Sequence, residues 1–498
     1  MAQSSRTFKA ILLGSGRFLS SGILIIIAIV LTRILTKEEY ATYRQTLLAY
    51  TFIAPLLMLG LPQGLYYFLT CEKRRGRGVL IEALLLLTVT GAAFSLFLLA
   101  GGNRLLAWRF SNPALQKTLL ILVPYTLFML PASAIEACLM SRDRPRRVAA
   151  YSVISRLVLL AAVLTASLIW RTPTAAVIAT VCSAGLLLPV ALRLMLSACA
   201  GEEWKPTLSG MRLQLSYSVP LGLASMIGAI NLALDKVVVS SMCSPQDFAV
   251  YVNGAIEIPL VAIIAHSVGA VLLPDLVSYY RRGQYSEMVG LWRRATVKSA
   301  CILIPAMFFL WFAAKEVVVL LFSAKYADSA LPFRIYLLYL LFRSTSPDAI
   351  LIAAGKTKAI FVRSLISLLL NLCLNIVAVH FLGYVGAAIS TICVIYLWNS
   401  PYILRLSAKT LNVRVSEVYP FGQVGKIMLA SGMGCAVFFA KPLLASRLGD
   451  MASVTILFVG YTCLTGWLLD VFKLISIRRV TASAWARLAS WLGRSTDV

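Results

Sequence analysis

Long apolar runs recur along the whole chain, and they constrain its fold more than any other feature. Runs of about twenty residues or more are each long enough to cross the roughly 30 Å of hydrocarbon in a bilayer. Of the 498 residues, 60% are hydrophobic and only 13% are charged. In lipid, uniformly apolar runs of this length satisfy their own backbone hydrogen bonds as helices, whereas barrel strands alternate and are about half as long. The sequence therefore predicts an all-α, polytopic membrane protein.

The pattern predicts about fourteen transmembrane helices. The predicted spans begin near Ala10, Arg44, Val79, Gln116, Val148, Ala175, Gln214, Ala249, Ala295, Pro332, Ala359, Tyr384, Phe421 and Met451. The first run contains Arg17, is longer than the apolar core of a signal peptide and lacks an obvious small-residue cleavage site. We expect it to be retained as a span.

The net charge of +26 is concentrated in alternate loops. Residues 71–78 read CEKRRGRG, residues 142–147 read RDRPRR, and residues 279–294 hold four arginines. About 27 Lys or Arg residues fall on this side against about 11 on the other, a bias that places these loops and both termini in the cytoplasm. The basic excess is thus a topology signal and an attraction to anionic lipid headgroups, and it predicts no nucleic-acid partner.

Catalytic and cofactor sites are not indicated. The loops are short, so there is no room for an extramembranous catalytic domain. Gly355-Lys356-Thr357 resembles the end of a phosphate loop, but Ile350 stands where such a loop needs glycine. The ten cysteines are scattered without CxxC spacing, and His266 and His380 are single, so we predict no metal and no cofactor. The sequence does not predict an enzyme.

An internal repeat is visible. Residues 36–43 (TKEEYATY) match residues 244–251 (SPQDFAVY), and residues 136–155 match residues 348–367 at nearly the same offset. An offset spanning six helices predicts two parallel six-helix repeats that form two lobes around a central cavity, open alternately to each side. The predicted parts are an N-lobe (1–200), a cytoplasmic linker (201–213), a C-lobe (214–405), a C-terminal helix pair (421–474) and a cytoplasmic amphipathic tail (475–498). A duplication without a transport path is the alternative.

Several of these segments together resemble a known family. They are the loop 36–43, residues 60–68 (GLPQGLYYF), residues 234–240 (LDKVVVS) and residues 325–330 (KYADSA). They are similar to the polysaccharide-biosynthesis branch of the multidrug/oligosaccharidyl-lipid/polysaccharide exporter superfamily. The resemblance implies a Wzx-type flippase of the bacterial inner membrane. Such proteins move undecaprenyl-diphosphate-linked repeat units of O-antigen, capsule or exopolysaccharide from the cytoplasmic to the outer leaflet, beside glycan polymerases and glycosyltransferases of the same pathway.

Two alternatives stay open. The extra C-terminal helix pair resembles that of lipid II flippases, although the arginine-rich first helix of those proteins is reduced here to Arg17. A multidrug antiporter of the same superfamily would share the two-lobe plan, but its acidic cavity for cationic drugs fits poorly with arginines inside the spans. A membrane-bound transferase lacks any visible catalytic constellation.

Ionisable residues inside spans cost several kcal/mol unless they are paired or hydrated, so each is a candidate functional residue. Asp235 and Glu257 lie at a similar predicted depth, about 15 Å from the outer loop between their helices. With Lys236 they form a predicted coupling cluster, for which a structural salt bridge between two members is the alternative. Glu136 with Arg156, and Asp348 with Arg363, occupy equivalent repeat positions and are interpreted as structural braces.

Three arginines are predicted to bind the substrate: Arg17, Arg156 and Arg343. Arg343 falls near the middle of its span, and Arg17 lies within the first. A guanidinium group stays charged and can bind a diphosphate bidentately, which suits the anionic headgroup that the resemblance implies. Helix capping, or pairing with Glu136 and Asp348, is the alternative role. The tail is predicted to lie at the interface, with Trp485 and Trp491 on its apolar face.

Overall fold

The computed structural model describes residues 2–72, 74–256, 272–343 and 348–474, with the backbone alone at 2–13, 17, 224, 448, 450 and 451. Across these ranges the chain forms helices joined by short loops and contains no β-strand. The helices are α1 (Ala2–Ile34), α2 (Lys37–Leu57), α3 (Leu61–Cys71), α4 (Gly76–Phe97), α5 (Asn103–Arg109), α6 (Leu115–Ala132), α7 (Ile135–Ser141), α8 (Pro145–Trp170), α9 (Pro173–Ala198), α10 (Leu208–Met242), α11 (Pro245–Gly254), α12 (Tyr285–Phe312), α13 (Ala314–Phe322), α14 (Ala330–Leu337), α15 (Tyr339–Arg343), α16 (Asp348–Ala353), α17 (Thr357–Leu382), α18 (Tyr384–Cys393), α19 (Ser400–Leu411), α20 (Val415–Val418), α21 (Phe421–Gly434) and α22 (Lys441–Val471).

Among the described residues, 11 helices are long and apolar enough to cross a membrane, and the bent pair α2–α3 makes 12 if it is one span. These segments correspond to all of the predicted spans except those beginning near Ala249 and Pro332. The two exceptions include residues 257–271 and 344–347, which lie outside the described ranges. The all-α, multi-pass architecture is confirmed, and the number fourteen stays a prediction.

Internal contacts divide the chain into two compact units. Unit 1 comprises Met1–Ala255 and Phe361–Val394, and unit 2 comprises Ile256–Ile360 and Ile395–Val498. Unit 1 has a continuous apolar core supplied by α2–α9. Unit 2 contains smaller apolar clusters along α12, α21 and α22. The division into an N-lobe (1–200) and a C-lobe (214–405) stays a prediction from the sequence.

The second span is bent by 42° between α2 and α3. Leu59 and Gly60 have φ values of 51° and 70°, which end α2 in the left-handed region, and a proline follows in the first turn of α3. A Cβ atom on Gly60 would collide with the Ser218 carbonyl oxygen of α10, and one on Gly222 would lie 2.5 Å from the Gly60 Cα atom. The backbones of α3 and α10 therefore touch here, and the glycines of GLPQG allow this approach.

The two copies of the repeat share local structure. Thr36 and Ser244 cap α2 and α11 through the same capping box, with Glu39 and Asp247 in the reciprocal position. The two copies also match further along. Helices α8 and α17 are both 26 residues long, and each follows a turn closed by a 2.9 Å bond, from Arg144 N to Leu139 O and from Lys356 N to Leu351 O. These equivalences support the duplication, while the arrangement of two lobes stays a prediction.

Candidate functional site

A cavity of about 470 Å³ lies inside unit 1 among α1, α2 and α6–α9. Such a volume is typical of small-molecule sites, which run from about 300 to 1,000 Å³. Much of its lining can form hydrogen bonds, although most spans around it are apolar. The polar lining residues are Ser20, Ser21, Tyr50, Tyr125, Ser133, Glu136, Tyr151, Ser152, Ser155, Arg156, Thr180 and Ser183.

Glu136 and Arg156 both line this cavity, and both are half-buried. Glu136 lies in the first turn of α7 and Arg156 lies three turns into α8. The two residues that the sequence places at a similar depth thus line the same cavity. Beside them, the rings of Tyr50 and Tyr125 meet edge to face, with centroids 4.9 Å apart. Among the described side chains, the cavity therefore presents the Arg156 cation, the Glu136 carboxyl group, aromatic surface and several hydroxyl groups.

Helix α1 closes one side of the cavity by packing on α8. A Cβ atom on Gly16 would lie 3.3 Å from Ala149, and the Ser20 hydroxyl donates a 3.0 Å hydrogen bond to the Ser152 carbonyl oxygen. Arg17 lies one residue after this crossing, three residues before Ser20. Its side chain lies outside the described part of the chain, so its place in the substrate-binding set stays a prediction.

Contacts between the repeated loops join the N-terminal ends of α2 and α11, beside the C-terminal end of α10. The sequence predicts that these ends face outward, and we call the contacts the outer gate. Gln246 Nε2 donates a 2.7 Å hydrogen bond to Glu38 Oε1 at the exposed rim. Deeper in the gate, the buried Tyr40 hydroxyl donates a 2.8 Å bond to Asn253 Oδ1. Burial also raises the pKa of the Cys243 thiol to about 11, so this residue at the gate stays protonated at neutral pH.

Uncharged polar residues continue the outer gate inward. Gln45 Nε2 donates a 2.9 Å bond to the Ser240 hydroxyl. Asn112 Nδ2 donates to Gln45 Oε1 at 2.7 Å and to the Thr42 hydroxyl at 2.9 Å. All four side chains are buried. The sequence did not predict this network, because only charged residues inside spans were taken as candidates. Amides and hydroxyls are common in membrane helices, so they do not stand out in the sequence.

Asp235 is buried on α10 within unit 1. Its Oδ2 atom accepts a 2.6 Å hydrogen bond from the Tyr251 hydroxyl, and its Oδ1 atom accepts the Lys236 backbone N–H at 2.8 Å. The Lys236 ammonium lies 3.7 Å from the same Oδ1 atom. The structure thus places Asp235 and Lys236 together, whereas Glu257 lies outside the described residues. Tyr251, the last residue of the repeated loop, was not assigned to the cluster from the sequence.

A family model described as "Polysaccharide biosynthesis protein" matches residues 30–331, more than half of the chain. The chain belongs to this polysaccharide biosynthesis protein family. The resemblance predicted from the sequence is confirmed. A search of curated proteins found no match.

Solved structures share the fold of this family member at low sequence identity. A structure titled "Lipid II flippase MurJ, inward closed conformation" is similar with a TM-score of 0.77 at 16% identity, over 93% of this chain and 99% of that one. An inward-facing multidrug resistance MATE transporter of the MOP superfamily gives 0.64 at 13% identity, over 81% and 99%. A MOP superfamily transporter from Pyrococcus furiosus gives 0.58 at 12% identity, over 82% and 96%. The chain therefore has the MurJ and MATE fold.

A second polar cluster in this family member was not predicted. The fully buried Glu82 of α4 accepts hydrogen bonds from Thr207 N at 2.7 Å and from Gln214 Nε2 at 2.8 Å, and it pairs with Arg75. Through Thr207 it ties the segment between α9 and α10 to α4. The same segment is held by a 2.7 Å ion pair between Arg142 and Glu202. We call these contacts the linker clamp.

The remaining predicted residues are spread over both units. In unit 2, the Arg343 guanidinium lies 4.9 Å from the centroid of the Tyr339 ring, a cation–π distance. Asp348 begins α16 in unit 2, and Arg363 lies on α17 in unit 1. Their role as a brace stays a prediction, as does that of Glu136 with Arg156. His266 and the tail 475–498 lie outside the described residues.

Proposed function

We propose that this protein is a flippase that moves undecaprenyl-diphosphate-linked oligosaccharide repeat units from the cytoplasmic to the outer leaflet of the bacterial inner membrane, with both termini in the cytoplasm. The observation that carries the proposal is the unit 1 cavity with Arg156 on its wall. A guanidinium group among membrane helices suits a phosphate-bearing headgroup, because it offers paired donors and stays charged. Membership in the polysaccharide biosynthesis family supports a glycan as the rest of the cargo.

The other lining residues suit a sugar. Hydroxyl groups of Ser152, Ser155 and Thr180 can both donate and accept hydrogen bonds, as sugar hydroxyls do. The tyrosines add rigid apolar surface with a polar end. A drug antiporter would instead need a cavity that favours a cation, and here Arg156 offsets the charge of the Glu136 carboxyl group in the same lining.

The proposed mechanism is alternating access. The outer gate is held by a few polar bonds between α2 and the α10–α11 pair, and such contacts can be exchanged for water when the outer mouth opens. Asp235 is the proposed coupling residue, because it bonds to Tyr251 of the repeated loop and a proton or cation at its carboxylate would weaken that bond. Lys236 and Glu257 complete the proposed cluster, and Arg17 and Arg343 complete the proposed headgroup ligands.

The proposal is tested with the purified full-length protein in sealed vesicles that carry a fluorescent undecaprenyl-diphosphate oligosaccharide on one leaflet. We expect the label to cross at a rate that rises with an imposed proton, sodium or electrical gradient and needs no ATP. Vesicles that carry lipid II, or an organic cation in the lumen, test the two alternatives. Equal transport of lipid II, or transport of the cation alone, would contradict repeat-unit specificity.

A further inference from the structure

A cavity of about 660 Å³ lies within unit 2 at the N-terminal end of α12. Three cationic side chains of α12 line it: Arg293, Arg294 and Lys298. The opposite wall comes from residues 413–423, which lead into α21, and from Leu474 after α22. We propose that this cavity binds the phosphate group of an anionic phospholipid. The site shares no residue with the unit 1 cavity, so it stands apart from the proposed transport function.

The depth of the cations along α12 favours a lipid headgroup. After Arg294, α12 continues for about 18 mostly apolar residues, or roughly 27 Å at the helical rise, to its end at Phe312. That length is close to the thickness of the hydrocarbon core. Arg293 and Arg294 therefore fall at the membrane boundary, where lipid phosphates lie, and Lys298 lies one turn deeper and can reach the same level with its long side chain.

The geometry of the cations suits a phosphate. Arg293 Nη1 donates a 3.1 Å hydrogen bond to the Glu417 carbonyl oxygen, which positions this guanidinium at the cavity wall. Arg294 and Lys298 are exposed and four residues apart, so they share one face of α12. A Cβ atom on Gly290 would lie 3.4 Å from Arg294 Nη1, in ordinary van der Waals contact. Arginine forks and a lysine ammonium are the groups that bind phosphate oxygens.

One acidic side chain also lines the cavity. The exposed Glu417 opposes the binding of an anion, but the three cations leave a net charge of about +2. The remaining lining is largely apolar, with Val289, Val297 and Leu474 among it. Apolar walls beside a basic group suit the glycerol and first methylene groups of a phospholipid, whereas a free phosphate ion would leave them without a partner.

The test uses native mass spectrometry of the delipidated full-length protein incubated with phosphatidylglycerol or phosphatidylcholine. We expect the wild type to retain phosphatidylglycerol preferentially. Arg294→Gln and Lys298→Gln should each lower its occupancy about fivefold, since each cation near a lipid surface contributes attraction of that order. Glu417→Gln should raise occupancy. Arg104→Gln and Arg171→Gln are matched controls, because they remove the same charge from exposed residues outside both the cavity lining and the basic loops.

A second measurement separates the lipid from a free anion. Phosphatidylglycerol should raise the Tm of the wild type more than that of Arg294→Gln, while the Tm values of the two proteins without lipid agree. Millimolar inorganic phosphate alone should leave the wild-type Tm unchanged. The proposal fails if phosphate reproduces the shift, if phosphatidylcholine is retained equally, or if the control variants lose as much phosphatidylglycerol as the cavity variants.

Discussion

Gln246 donates a 2.7 Å hydrogen bond to Glu38 across 208 residues of sequence, and the two occupy the same position in the two copies of the repeated loop. When two copies of a motif are related by a two-fold rotation, equivalent residues meet each other at the rotation axis, as they do in the interface of a symmetric dimer. The capping boxes at Thr36 and Ser244 present both loops in the same way. The outer gate thus consists of one motif that meets its own copy, and the arrangement of two lobes stays a prediction.

The Glu38–Gln246 contact gives a direct test of gating. Glu38→Cys together with Gln246→Cys, in a background without native cysteines, should react with a short thiol-to-thiol crosslinker, because the two side chains meet at an exposed rim. We expect the crosslinked protein to stop transporting in the vesicle assay. Cleavage of the crosslinker should restore transport.

Each single cysteine variant, treated with the same reagent, serves as the control and should keep its transport rate. Full transport by the crosslinked double variant would show that the outer gate does not open during the cycle, and the alternating-access proposal would then be wrong.

The crossing of α3 and α10 gives a second prediction. Gly222→Ala should destabilise the protein by about 1–3 kcal/mol, because the new Cβ atom would lie 2.5 Å from the Gly60 Cα atom and two backbones must separate. Gly228→Ala is the matched control on the same helix, since nothing lies within 4 Å of its Cβ position. Thermal unfolding of both purified variants measures the difference. Equal Tm values would mean that the crossing is not a tight contact.

The linker clamp gives a third prediction. Glu82→Ala should lower the free energy of unfolding by about 1–3 kcal/mol, because the Thr207 backbone N–H and the Gln214 amide lose a buried acceptor and Arg75 loses one of its two carboxylate partners. Glu82→Gln should lower it less, since one amide oxygen still accepts. Glu203→Ala changes an exposed carboxylate in the same segment and should cost less than about 0.5 kcal/mol. A Tm for Glu82→Ala equal to that of Glu203→Ala would contradict the clamp.

The sequence predicted those features that depend on one helix at a time. Spans were found because the hydrocarbon core demands long apolar runs. Glu136 and Arg156 were placed at one depth because the helical rise is constant, and the structure puts both in one cavity. The capping boxes were not predicted, although the local pattern of Ser or Thr with an acidic residue three positions later indicates them.

Features that depend on distant partners were not predicted. Glu82 lies near the N-terminal end of α4, and its partner Gln214 is 132 residues away in the sequence. The hydrogen bond from Tyr251 to Asp235 joins α11 to α10. It depends on how each helix is rotated about its own axis, which the hydropathy pattern does not determine. The bend at Gly60 was not predicted, because residues 60–68 were used only as a family motif. A glycine followed within two residues by a proline already indicates that one helix ends and another begins.

The last prediction concerns the arginine of the unit 1 cavity and separates its two proposed roles. If Arg156 binds the lipid diphosphate, Arg156→Ala should lower glycan export about ten- to hundredfold, the effect of losing one charge-assisted hydrogen bond of about 1.5–3 kcal/mol. Arg156→Lys should retain more export, because it keeps the charge but not the bidentate geometry. Arg17→Ala and Arg343→Ala should behave like Arg156→Ala if all three hold the headgroup.

If Glu136 and Arg156 instead form a structural brace, the variants should show a different pattern of stability and export. Glu136→Gln and Arg156→Ala would then both lower the Tm of the purified protein, and export would fall only as the protein disappears from the membrane. Export must therefore be compared at matched protein level, with the accumulation of lipid-linked repeat units on the cytoplasmic face as the direct readout. Arg104→Ala, an exposed arginine of α5 outside the cavity, is the matched control and should export normally. A diphosphate that enters a low-dielectric site loses hydration, and without a fixed cation nothing replaces it, so loss of a true headgroup ligand must lower export. Normal export by Arg156→Ala at matched protein level would therefore show that Arg156 is not a headgroup ligand.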